Sequence, residues 1–144
     1  MRPLFTIGYE GKAVAGFLEQ LGASGVDLLI DVRAVAASRR PGFSKTALAG
    51  ALRENGMDYL HLRALGTPKA GREAARKGRI AEMRAIYEGQ LASPEAELAM
   101  EQALEAALER KVALLCFEAD AGGCHRAVIA ERLIERAPLD VRNL

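Results

Sequence analysis

The 144-residue sequence has almost no net charge, few cysteines and no long apolar run. A formal charge of +1 leaves no overall basic field for nucleic acid, so any anion site must come from locally clustered basic residues. No apolar run approaches the roughly 18 residues of a membrane-spanning helix. The N-terminal residues also lack the apolar core of a signal peptide, so we expect a cytoplasmic protein without a membrane partner.

Cysteine is scarce, with Cys116 and Cys124 as its two positions. In a chain without an export signal, two cysteines are typical of free thiols rather than of a disulfide. No Cys-x-x-Cys pair is present, and the adjacent Cys124 and His125 rarely reach one tetrahedral ion. The sequence therefore predicts no metal and no cofactor, with a metal site made from Cys116, Glu118, Cys124 and His125 as the alternative.

Short apolar segments alternate with amphipathic segments, without a repeat, a low-complexity tract or a linker. The apolar segments predict four strands, and the tail LDVRNL is compatible with a fifth; their ranges are 4–7, 26–32, 57–62, 111–118 and 139–144. Helices are expected between the strands, with Ser44 and Ser93-Pro94-Glu95 favouring helix starts.

This alternation predicts a single three-layer α/β domain over residues 1–144. Right-handed crossovers would give a mainly parallel, Rossmann-like sheet of four or five strands with helices on both faces. Ligands of such sheets bind beyond the carboxyl ends of the strands. The residues after Ile7, Ile30 and Phe117 are therefore expected to converge.

The first two loops at this edge carry polar and basic side chains. In GYEGK (8–12), Gly8 allows a tight turn or a close ligand approach, and Tyr9 and Glu10 would project outward. The loop at 31–45 concentrates cations with one opposing acid, which favours an anion-attracting patch; its charged residues are Asp31, Arg33, Arg39, Arg40 and Lys45. A plain turn and a solvated surface loop are the respective alternatives.

The third loop, LGTPKAGREAARKGR (65–79), is also basic. Gly66, Pro68 and Gly71 predict an irregular connection there. Its five cations outnumber Glu73, so the segment is interpreted either as a mobile basic lid that includes Lys69 or as a solvated loop.

The fourth loop follows the strand at 111–118. Gly122 and Gly123 would present backbone N–H groups, and Cys124, His125 and Arg126 are expected in the first turn of a helix. Free N–H donors and a partial positive charge at a helix N-terminus favour an anion and lower the pKa of a nearby thiol. The spacing differs from the Cys-x₅-Arg loop of thiol phosphatases, so a covalent thiol mechanism stays an alternative.

Taken together, these segments resemble the DUF488 family, small bacterial and archaeal proteins of unknown function. The resemblance is carried by TIGYEG (6–11), DVRAVAASRRPGFSK (31–45), YLHLRALGTPK (59–69) and LLCFEADAGGCHRAVIAERL (114–133). It implies a compact α/β domain but no settled reaction. The motif residues that it implies are Gly8, Tyr9, Glu10, Asp31, Arg33, Ser38, Arg39, Lys45, Gly66, Pro68, Lys69, Cys116, Glu118, Cys124, His125 and Arg126.

The sequence thus predicts a pocket for a phosphate-bearing or other anionic partner, a nucleotide or a nucleic acid. The predicted ligand-binding residues are Gly8, Tyr9, Glu10, Arg33, Ser38, Arg39, Lys45, Lys69, Gly123 and Arg126. Hydrolysis or group transfer would use Cys124 as nucleophile or His125 as general acid or base, with Glu118 and Asp31 as acid–base or orienting carboxylates.

Three alternatives remain open. The first is a non-catalytic module that binds nucleotide or nucleic acid. The second is a thiol- or metal-dependent enzyme that uses Cys124 and His125. In the third, Asp31 and Glu118 pair with Arg33 and Arg126 and only stabilise the fold.

Overall fold

The computed structural model describes residues 1–120 and 125–144 and shows five strands in one sheet. The strands are β1 (Arg2–Gly8), β2 (Leu28–Asp31), β3 (Asp58–His61), β4 (Val112–Cys116) and β5 (Leu139–Asn143). Every pairing is parallel, in the order β3-β2-β4-β1-β5. The predicted α/β class is confirmed, and the tail forms the fifth strand beside β1.

Helices connect the strands. They are α1 (Val14–Ala23), α2 (Lys45–Glu54), α3 (Lys69–Arg76), α4 (Ile80–Leu91), α5 (Pro94–Glu109) and α6 (Arg126–Ile134), and a 3₁₀ turn covers Arg63–Leu65. Both predicted helix starts hold, but only Ser93 caps its helix, because Ala96 N donates to Ser93 Oγ at 3.2 Å. Ser44 precedes α2, yet its Oγ accepts from Ser38 N at 3.0 Å instead.

The prediction of an irregular connection over 65–79 is wrong for α3. Gly71 lies inside that helix, where a Cβ would approach Thr67 Cγ2 to 2.5 Å. The glycine therefore permits close packing of the helix and does not end it. Ala74 is buried on the same helix, so α3 packs against the domain.

Two hydrophobic clusters lie on opposite faces of the sheet. Alternate residues of β4 contribute to each: Leu114 packs with α4, α5 and α6, whereas Leu115 packs with α1 and α2. All five residues of β4 are buried, as the continuous apolar run predicts for a central parallel strand. Helix packing on both faces of the sheet holds the carboxyl ends of β1, β2 and β4 side by side.

Across the two described ranges, none of the helices is both long enough and apolar enough to span a membrane.

Candidate ligand-binding cavity

A cavity of about 360 Å³ lies at the carboxyl edge of the sheet. Its walls come from the segments after β1, β2 and β4, from α3 and α4, and from the residue before α6. The described lining residues are Tyr9, Arg33, Ala34, Val35, Ala37, Thr67, Arg72, Ala75, Met83, Cys116, Phe117, Glu118 and His125. The loops expected to converge thus share one cavity, and its volume falls in the range of roughly 300–1,000 Å³ seen for small-molecule sites.

A buried ion pair forms the β2 side of the cavity. Arg33 donates to both carboxylate oxygens of Asp31, from Nε at 2.9 Å and from Nη2 at 2.7 Å. Its Nη1 donates to Phe43 O at 2.8 Å and to Tyr9 Oη at 3.3 Å. Tyr59 Oη donates to Asp31 Oδ2 at 2.5 Å. Most of the hydrogen-bonding capacity of Arg33 is therefore directed to the protein itself.

The charge of Arg33 is balanced locally. Burial alone would lower the pKa of Arg33, but the hydrogen bonds and charge of Asp31 hold it above its ordinary value. Burial and the same carboxylate raise the pKa of Tyr59, which stays a neutral donor. The arrangement agrees with the alternative in which Asp31 and Arg33 pair and stabilise the fold. Arg33 also lines the cavity.

Glu118 is the carboxyl group of the cavity wall. Burial raises its pKa above the ordinary value, and the charge of Glu10 acts in the same direction, while the charges of Arg126 and Arg76 oppose both. Glu118 Oε2 lies 3.4 Å from Cys116 Sγ. A half-buried carboxyl group that retains its proton to higher pH suits acid–base chemistry.

His125 lies at the inner wall, immediately before α6. Its Nε2 is 2.6 Å from Val32 O, and a carbonyl can only accept, so Nε2 carries the hydrogen and donates. Burial lowers the pKa of His125 to about 4. Because the side chain is desolvated, His125 is a neutral donor at pH 7, and its role as general acid or base stays a prediction.

Arg126 is fully buried behind the cavity and does not line it. Nη1 donates to Glu118 O at 2.5 Å, and Nη2 donates to Ala119 O at 3.0 Å. Nη1 also lies 3.2 Å from Cys116 Sγ, while Nε has no hydrogen-bond partner in the described part of the chain. Burial lowers the pKa of Arg126. Its role in binding an anion stays a prediction, since its contacts tie α6 to the residues after β4.

Gly8, the last residue of β1, lies next to Arg126. A Cβ at Gly8 would lie 1.7 Å from Glu118 O and 2.6 Å from Arg126 Nη1. The glycine is therefore required by close backbone approach within the protein. Next to it, Tyr9 stacks on Phe43 at 4.6 Å, and Glu10 Oε1 accepts from Ala119 N at 3.0 Å.

Apart from Arg33, the predicted ligand-binding basic residues of the second and third loops do not line the cavity. Arg39, Lys45 and Lys69 are exposed and do not line it. Ser38 holds its own loop, because its Oγ accepts from Arg40 N at 3.1 Å. Their binding of a ligand stays a prediction.

Sequence reasoning left Arg72 out of the candidate site. Its Nη1 donates to Thr67 O at 2.8 Å, and its charge is close enough to His125 to lower the pKa of that residue. The charge of Arg76, one turn further along α3, acts to lower the pKa of Glu118. The available signal was the spacing of Lys69, Arg72 and Arg76, which places them on one face of a helix. Because the segment was predicted to be irregular, this helical spacing was not considered.

Apolar lining residues were also missed. Met83 comes from α4, and Phe117 packs edge-on against Tyr9 at 5.3 Å between ring centroids. Phe117 and Val35 are both partly exposed, so they form an apolar rim. Such residues carry no chemical motif, and the sequence offered no sign that they face a ligand site.

Cys116 is disulfide-bonded, so the expectation of a free thiol is wrong for this residue. The other cysteine, Cys124, lies outside the described residues, as does Gly123. The predictions that Cys124 is a nucleophile and that Gly123 binds ligand therefore remain predictions. Over residues 1–120 and 125–144, no group of three potential metal ligands is close enough to hold an ion.

Fold and cavity together define a three-layer α/β protein with an all-parallel sheet and a ligand-sized cavity at its carboxyl edge. The family model "Domain of unknown function DUF488" matches residues 13–133, and the chain belongs to this family. The membership confirms the resemblance seen in the motifs. No curated protein and no solved structure matches the chain.

Proposed function

We propose that the cavity binds a small phosphate-bearing ligand, such as a nucleotide, and that Glu118 transfers a proton during hydrolysis or group transfer. The observation that carries this proposal is the presence, in one cavity, of a carboxyl group of raised pKa and an arginine with no ion-pair partner among the described residues. Arg72 forms no ion pair with any described residue, and Glu118 lines the same cavity.

The charge balance of the lining favours an anion. Asp31 offsets Arg33, which leaves Arg72 as the cation available to a ligand, with Arg76 nearby. When Glu118 is protonated, the cavity holds an excess positive charge in a partly desolvated setting, where a guanidinium binds phosphate well.

The distribution of charged and aromatic residues favours a small molecule over a polymer. Arg39, Lys45 and Lys69 are exposed but lie off the cavity, and the formal net charge is only +1. Polynucleotide binding depends on many phosphate contacts, and these three cations add none within the cavity. Tyr9 and Phe117 instead give the cavity an aromatic wall for an organic group.

In the proposed reaction, the protonated Glu118 donates its proton to the oxygen that leaves as its bond to the transferred group breaks. Water forms the new bond to that group and returns a proton to the carboxylate, so the residue ends as it began. His125, held neutral with Nε2–H on Val32 O, acts as a positioning residue for the inner wall.

An anion next to Glu118 stabilises the protonated carboxyl and raises its pKa further. Binding and protonation are therefore linked, and the affinity for the anion should rise as the pH falls toward the pKa of Glu118. Glu118→Gln imitates the protonated form, so it should bind at neutral pH at least as tightly as the wild type and lose this pH dependence.

Calorimetric titration with AMP, ribose 5-phosphate and inorganic phosphate between pH 5 and 8 tests the proposal. We expect Arg72→Ala to weaken AMP binding about tenfold or more, the loss of a charge-assisted hydrogen bond. Arg53→Ala removes an exposed arginine from α2 and serves as the matched control, with no change expected.

Absence of binding by all three phosphates, or equal losses in the two arginine variants, would contradict the site. Turnover is tested separately on a panel of phosphate esters. If the wild type binds but converts none of them, and Glu118→Gln keeps the pH dependence, the protein is a binding module without catalysis.

A further inference from the structure

A second depression of about 520 Å³, here called the outer groove, adjoins the cavity. Its described lining residues are Ala34, Val35, Arg63, Ala64, Gly66, Thr67, Pro68, Arg72 and Gln90. Ala34, Val35, Thr67 and Arg72 line both spaces. The two spaces are therefore adjacent, and Arg72 belongs to the wall that they share.

The outer groove has a one-sided charge. Arg63 and Arg72 line it, and its described lining residues include no acid. Neither arginine forms an ion pair in the described ranges, whereas Arg110 and Arg136 each pair with an acid. Two guanidinium groups without a counter-charge favour an anion in the groove.

The inner side of the groove is built from closely packed backbone. A Cβ at Gly66 would lie 2.3 Å from Ala34 N and Cα, so the segments after β2 and β3 contact each other directly. Gln90 Nε2 donates to Ala64 O at 2.9 Å and Arg72 Nη1 donates to Thr67 O at 2.8 Å, which fixes the side chains around the depression. The groove is thus held in shape by the fold.

We propose that the outer groove is a second subsite, which binds an additional phosphate covalently linked to the phosphate in the cavity. This inference rests on the proposed function and narrows the ligand to a small molecule with two or more consecutive phosphates. The first phosphate contacts Arg72, the next reaches Arg63, and the organic part lies against the aromatic wall of Tyr9 and Phe117.

The test compares AMP, ADP and ATP by isothermal titration calorimetry, without added metal and at fixed ionic strength. In the wild type, the affinity should rise about tenfold from AMP to ADP, as one more charge-assisted contact forms. Arg63→Ala should remove that gain and leave AMP binding unchanged. Arg72→Ala should weaken all three nucleotides, and Arg53→Ala should weaken none.

Comparing the affinities for pyrophosphate and inorganic phosphate repeats the test without the nucleoside. It shows whether the phosphate chain alone is recognised. If AMP binds through Arg72 but ADP binds no more tightly, or if Arg63→Ala keeps the gain, the second subsite is overturned while the proposed function stands. If neither AMP nor ADP binds, both proposals fail.

Discussion

At the scale of single residues, the interaction of Asp31 with Arg33 is the feature on which the cavity wall depends. The two side chains are almost fully buried, and their shortest N–O distance is 2.7 Å. Breaking a buried pair leaves a desolvated charge without a partner, which costs far more than the pair gains over well-packed apolar residues. The pair therefore holds the β2 loop in one arrangement.

We expect Asp31→Ala to lower the free energy of unfolding by about 3–5 kcal/mol. Asp58→Ala is the matched control, because Asp58 also meets an arginine, Arg110, at 2.7 Å, but its side chain is 67% exposed. An exposed pair contributes about 0–1 kcal/mol. Urea unfolding followed by circular dichroism measures both values. Similar losses in the two variants would show that burial does not set the strength of the Asp31 pair.

At the scale of secondary-structure elements, β1 and α6 meet at a point without room for a side chain. Gly8 closes β1 against the carbonyl of Glu118, and Arg126 at the start of α6 donates to that carbonyl. Tyr9 N and Glu10 N continue the contact by donating to Cys116 O and Phe117 O at 3.3 and 2.8 Å. The end of β1 and the segment after β4 are thereby locked together.

Gly8→Ala should therefore separate these elements and lower the free energy of unfolding by at least about 2–3 kcal/mol, since a backbone atom blocks the new Cβ. Gly16→Ala makes the same chemical change within α1, where a Cβ meets nothing within 4 Å. That variant should be more stable than the wild type by about 0.5–1 kcal/mol, the helix preference of alanine over glycine.

Denaturant unfolding measures both variants: the free energy of unfolding should fall in Gly8→Ala and rise in Gly16→Ala. A Gly8→Ala protein as stable as the wild type would mean that the β1–α6 junction can open without cost.

At the scale of the whole molecule, buried groups make stability depend on pH although the net charge is close to zero. The pKa of His125 is about 4 in the folded protein, below its ordinary value of 6.5, because burial disfavours the charged ring. The unfolded chain therefore takes up the proton first as the pH falls. The contribution of His125 to stability is complete above pH 6.5 and is lost as the pH falls toward 4.

The loss at pH 4 should be on the order of 3 kcal/mol, from the size of this shift. His125→Gln keeps a donor for Val32 O but does not titrate, so the difference in unfolding free energy between pH 7 and pH 4.5 should become smaller. Glu118 has the opposite sign: its raised pKa adds stability that is present below pH 4.5 and lost as the pH rises. Glu118→Gln should therefore enlarge that difference.

Guanidinium unfolding at the two pH values measures both changes. An unchanged difference in His125→Gln would mean that this histidine is not desolvated in the folded protein.

The sequence by itself determined the α/β class, the strand positions and the family motifs. Strands and the polar residues at or just beyond their ends are local in the chain, so apolar runs locate Asp31 at the end of β2 and Glu118 after β4. Parallel strands with crossovers then require these ends to lie at one edge of the sheet. This part of the site was predictable because it follows from short stretches of sequence.

Only the tertiary structure decided the strand order, the helix at 69–76 and the partners of the charged side chains. Arg126 has two carbonyl partners and lies outside the cavity, whereas Arg72 faces into it. The pKa of His125 depends on atoms that bury it from elsewhere in the chain. Solvent exposure and hydrogen-bond partners are properties of packing between distant residues, and residue type alone does not specify them.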